Sequence, residues 1–186
     1  MPKRRPKEPL ALASLSVAER ADVLDALLRA HPLLAAEAEQ LAPELLAAGG
    51  LEEVAEQVTV SLLALHLGDL AARAGRQWGG GYVSEHEAAY ELLDEVVRPY
   101  LADLERRAGV GAYAAATRIG VGLLLGLYEC RACDDDNLVL AHAGLPDTID
   151  DLASAVLDIM RKNAVDVSED RLAAECPEWT WLLGRS

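Results

Sequence analysis

The sequence predicts an all-α fold, a single domain of about seven to nine helices around a central apolar helix at about 110–130. Three observations predict it. Apolar residues make up 52% of the 186, yet aromatics are 4% and Phe is absent, so Ala and Leu must fill the interior. That composition favours closely packed helices over a sheet sandwich. Helix-start signals recur ahead of apolar runs spaced at the helical period. No run of alternating β-branched residues exceeds a few positions, so no strand is expected. The helices form a compact bundle or an irregular stack of helical hairpins.

Residues 1–13 open as MPKRRPKEP, with Lys3, Arg4, Arg5 and Lys7 against Glu8, a net of +3. Three prolines among clustered charges cannot build a core, so this basic leader is expected to be disordered. The helical domain covers 14–186. Its first helix starts at the capping box of Ser16 and Glu19, carries a stripe of Val17, Ala21, Leu24 and Leu28, and is limited by Pro32. A second helix runs from Pro32 to Leu46 and ends at Gly49-Gly50. The third, LEEVAEQVTVSLLALHL, begins with two glutamates suited to the positive end of a helix. Ser84 and Glu87 repeat the capping box before a helix in which Pro99 should make a kink or a break and Gly109 a C-terminal cap.

The segment VGAYAAATRIGVGLLLGLYECRAC is apolar nearly all round, as befits the central helix of a bundle. Ala115, Ile119, Gly122 and Gly126 recur at helical spacing and would let another helix approach closely. Each glycine costs about 1 kcal/mol in helix propensity, so packing has to offset it. Arg118 within this helix calls for a carboxylate partner or an exit to solvent. A further helix follows in LPDTIDDLASAVLDIMRK, then a shorter pair starting at Ser168 and at Pro177.

Charge narrows the classes of partner. The net charge is −14, and without the leader it is −17 (13 basic against 30 acidic residues). A body this acidic repels phosphate backbones and anionic membranes and steers towards a basic protein partner. No stretch is long and apolar enough to suggest a membrane span, and no secretory signal is visible. Three cysteines, an odd number, imply thiols and a cytoplasmic protein. Fourteen Arg against three Lys, with two Asn and no Phe, point to GC-rich codons and a bacterial source.

Chemistry concentrates, if anywhere, in YECRACDDDNLVLAHAGLP. Cys130-Arg-Ala-Cys133 has the spacing of half a zinc site, and His142 and Cys176 are the candidates to complete it. A structural zinc site usually offers a second local pair, which is missing. Asp134 to Asp136 fail the calcium-loop pattern, because Leu138 and Leu145 occupy ligand positions. A redox pair should start a helix, whereas this pair ends one. The expectation is therefore no metal and no cofactor, with the cysteines as small apolar fillers. His86-Glu87-Ala-Ala-Tyr90 lacks the second histidine of a zinc protease, and neither a phosphate loop nor a nucleophile elbow is present.

The segment LGDLAARAGRQWGGGYVS resembles, over some fourteen residues, the turn region of helix-turn-helix repressors of the tetracycline-repressor type. That resemblance implies a DNA-binding regulator. The segment departs from the pattern at Gly79, Gly80 and Gly81, where a recognition helix should run, and in lying after a third helix. The same stretch reads as a loop whose glycines carry Trp78 and Tyr82, rings suited to a contact. Trp179 and Trp181 offer a second aromatic cluster. The function expected is a protein-interaction or scaffold module without catalysis, with Trp78, Tyr82, Trp179 and Trp181 as contact residues. A metal protein or enzyme built on Cys130 and Cys133, and a helix-turn-helix regulator, are the alternatives. Self-association is left open.

Overall fold

The structure is a computed structural model and describes residues 11–47, 49–76, 81–131, 139–144 and 147–184. It is all-α, with ten α-helices among the described residues, two of them single turns. The chain divides into two compact units, residues 1–45 and 46–186. The first ten residues of the basic leader lie outside the described residues, and Ala11–Ser14 form a short 3-10 turn.

In the first unit, α1 (Val17–Ala30) begins at the expected capping box. Ser16 Oγ accepts from the Glu19 amide at 3.3 Å, and the Glu19 carboxylate accepts from the Ser16 amide at 2.8 Å. These reciprocal bonds satisfy two donors that a helix start otherwise leaves open. His31 is the joint to α2 (Pro32–Ala47), and the two helices make little contact with each other. No residue of α1 is buried.

The second unit is built on α6 (Tyr113–Cys130), which buries eleven of its eighteen residues. Its glycines decide which helices come close. A Cβ on Gly122 would stand 2.6 Å from the Leu51 carbonyl oxygen, and one on Gly126 the same distance from that of Ala55. The backbone of α3 (Leu51–Leu63) thus rests directly on α6, as the glycine spacing requires. A Cβ on Gly120 would meet Met160 Sδ at 2.5 Å, so this glycine accommodates α8 (Asp147–Lys162) on another face. Leu104, from α5 (Glu85–Gly109), approaches the same glycine. Three helices therefore meet one apolar rod, and Val58, Leu62, Leu93, Leu104, Leu123, Leu127, Ile149 and Leu157 fill the interior.

Four local expectations need correction. The long third helix divides at His66, whose amide is capped by the Asp69 carboxylate at 2.9 Å, and α4 (Leu67–Arg73) starts there. Of the kink or break expected at Pro99, the break does not occur, and α5 runs through it; Pro99 lies exposed, where water can take the carbonyl that loses its donor. The glycine that ends α5 is Gly111, at φ +78°, and not Gly109. Gly111 donates to the Ala108 carbonyl and Ala112 to that of Arg107, the paired bonds of a left-handed helix stop. Lastly, a minimal strand pair does occur: β1 (Gly75–Arg76) lies antiparallel to β2 (Tyr82–Val83). At the end of α8 the same left-handed position is held by Ala164, at φ +54°.

Candidate functional site

The cysteine region is built as a packing joint. Cys130 ends α6 at 1% exposure, and the next residue, Arg131, turns back to α8. Its guanidinium donates to Asp150 through Nε at 2.8 Å and Nη2 at 3.3 Å, and a third contact goes to Glu178. Asp150 also accepts from the indole Nε1 of Trp179 at 2.6 Å. The Trp179 ring meets Tyr128 edge-on, with centroids 5.1 Å apart. One buried carboxylate thereby ties the end of α6, the first turn of α8 and the 3-10 turn Pro177–Trp179 together. A buried carboxylate holding three donors is well satisfied and has little capacity left for a ligand.

The thiols follow the same logic. Cys130 and Cys176 are both buried. Burial, with Glu175 adding to it, pushes the Cys176 thiol up to about 11, so it stays neutral at ordinary pH. A neutral thiol is a poor nucleophile and a poor metal ligand. His142 is exposed at the end of α7 (Val139–His142). Among the described residues, no three His, Cys, Asp or Glu side chains are placed to hold a metal ion, so Cys130, His142 and Cys176 form no such set. Cys133 and the run from Asp134 to Asp136 lie outside the described residues.

The aromatic candidates separate. Tyr82 is 74% exposed on β2, and Trp181 is 47% exposed on α10 (Thr180–Leu183). Trp179 is corrected: at 2% exposure it is a core residue, with its indole N–H committed to Asp150. Trp78 lies outside the described residues. The segment that resembles a helix-turn-helix takes another course. After α4 the backbone turns extended at Ala74, and Gly75 enters β1 at φ +102° where the resemblance places a turn into a second helix.

Two surfaces stand out that single residues did not reveal. One is a groove of about 390 Å³ between α3, α6 and α9 (Glu169–Glu175). Ala55, Val60, Leu125 and Tyr128 line it with Glu52, Glu56, Glu129 and Glu175, against one cation, Arg171. Arg171 donates to Glu175 at 2.7 Å and to Glu52 at 3.2 Å. A hydrogen bond to its own helix-start backbone, and then Arg171, hold the Glu52 carboxyl below its ordinary value. Thr59 Oγ1 lies 2.8 Å from Glu129, 3.0 Å from the Ala55 carbonyl and 3.3 Å from that of Gly126, and its one proton serves them in turn. Four carboxylates against one guanidinium leave −3, a groove that favours cations over anions. Glu52 and Arg171 are 119 positions apart, so no sequence spacing could pair them.

The other surface belongs to the first unit. Val17, Val23, Leu24 and Leu27 of α1 and Leu33, Leu34, Leu41 and Leu45 of α2 are all exposed. Isolated exposed leucines are ordinary, but a stripe repeated along two successive helices is not.

Comparison with protein-family models, with curated proteins and with solved structures finds no match to this chain. Among the described residues, no helix is long and apolar enough to cross a membrane.

Proposed function

We propose that this chain is a protein-interaction module that works without catalysis, in the cytoplasm of a bacterium. One observation carries the reading: the apolar stripes of α1 and α2 stand exposed while the second unit has a complete core of its own. Helices of 14 and 16 residues are marginal in isolation, because nucleation is costly and the backbone alone gains little per residue. Their stability has to come from burying the apolar face, and a partner protein supplies that burial. The acidic surface disfavours nucleic acid and anionic lipid and selects among proteins by charge.

A photo-crosslinking residue placed at Leu24 or Leu41 in the producing cells tests this. A discrete protein adduct is expected at both positions, lost when Leu34→Asp is added, and absent from exposed Val110 on the second unit. If neither stripe position yields an adduct beyond that at Val110, the interaction reading fails.

A further inference from the structure

We infer that the apolar stripes of α1 and α2 receive an amphipathic helix flanked by lysine or arginine from another protein, a proposal that rests on the interaction reading above. Val17, Ala21, Leu24 and Leu28 are spaced four, three and four apart, and Leu34, Ala38, Leu41 and Leu45 repeat that spacing on α2. Alternation of threes and fours places side chains along one seam of a helix, the pattern by which helices receive a neighbouring helix. The two helices make little mutual contact across His31, and within the seams Leu28 and Ala38 are half-buried. Leu24, Leu41 and Leu45 remain 52%, 54% and 74% exposed.

Charge selects the occupant. Residues 16–47 carry Glu19, Asp22, Asp25, Glu37, Glu39 and Glu44 against Arg20 and Arg29, six acids to two bases, or −4. The charged residues of α2 are all acidic. Both arginines are turned onto their own backbone: Arg20 Nε donates to the Leu15 carbonyl at 3.0 Å, and Arg29 Nε to that of Asp25 at 3.1 Å. A second copy would bring −4 against −4. The rest of this chain from residue 46 is no better suited, at −13 (−14, less +3 for the leader, less −4 for this stretch). A helix with basic flanks instead pairs its cations with the glutamates beside the seam while its apolar face covers the leucines.

Three designed peptides of about 18 residues, roughly five turns, provide the test against the full chain. One carries a leucine seam with lysine flanks, the second the same seam with glutamate flanks, and the third a serine seam with lysine flanks. By calorimetry the first is expected to bind at least about tenfold more tightly than either other peptide. Its affinity should fall as salt is raised and fall again in Leu24→Asp/Leu41→Asp. Equal binding of the two leucine-seam peptides would overturn the basic-helix assignment, as would binding indifferent to the double substitution. A chain that sediments as a dimer dissolved by that substitution would assign the stripe to a second copy. Strong hydrogen-exchange protection of Leu24 and Leu41 in the peptide-free monomer would assign it to this chain's own second unit. Crosslinked adducts that persist while the lysine peptide fails would remove only this partner chemistry, whereas absence of adducts removes the interaction reading itself.

Discussion

Helices α1 and α6 are both rich in alanine and leucine, yet α1 buries no residue and α6 buries eleven. The difference lies in what stands on the contact face. Gly120, Gly122 and Gly126 remove side-chain bulk, so α3 and α8 approach until a methyl group would collide with them. Close approach multiplies dispersion contacts and excludes water from the leucines beside the glycines. The α1 stripe of Val17, Ala21, Leu24 and Leu28 carries no glycine, and Ala21 is its one small residue. A helix face bearing large side chains needs a partner with holes to match, and among the described residues α1 buries none of its own side chains against one.

The sharpest way to break that contrast is to attack the second unit where it is polar. Asp150→Ala should destabilise by about 3–5 kcal/mol, since Arg131 and the Trp179 indole lose their shared acceptor in a buried site. Denaturant melts check this. A cost below about 1 kcal/mol would mean that water replaces the carboxylate and that the joint is ornamental. Adding Arg131→Met to Asp150→Ala should recover part of the loss, because the uncompensated cation is then gone.

Next comes the glycine seam. Gly122→Leu should cost about 1–3 kcal/mol or more, because its first carbon already overlaps the Leu51 carbonyl and Val54. A neutral result would detach α3 from α6 and erase the distinction between the two units.

Alkali probes the same core through Cys176. Its folded thiol is raised to about 11 from 9.0. Stability is therefore complete below pH 9 and is lost as pH rises through 11, because the unfolded chain releases its proton first. The loss should approach about 2 kcal/mol over that interval, less in Cys176→Ala, in melts compared at matched ionic strength.

The smallest effect belongs to the first unit. Leu41→Asp should change the melt of the second unit by less than about 0.5 kcal/mol, as expected of an exposed site. A larger change would show that the α2 stripe is covered in the folded chain.

Much of the fold was legible along the chain. The Ser16–Glu19 capping box, the all-round apolarity of α6 and its Gly122–Gly126 spacing are local patterns, and local patterns act through the backbone period alone. The errors were also local in kind. Helix α3 ends before His66 because an Asp69 cap competes with continuation, and Pro99 is accepted because its face meets water. The candidate site was far less legible. Trp179 looked like half of an exposed pair with Trp181, but burial depends on what α8 places beside it.

The sequence by itself determined the helical class, most helix starts, the strong negative charge and the apolar stripe of α1, since each follows from composition or from spacing within one helix. Only the tertiary structure decided that α6 is stacked on α3 and α8 at its glycines, that Asp150 gathers Arg131 and Trp179, and that Glu52 shares Arg171 with Glu175. It also decided that α1 buries none of its residues. A stripe states that a helix face seeks burial. Which surface buries it depends on shape and charge brought together from distant parts of the chain, or from another chain altogether.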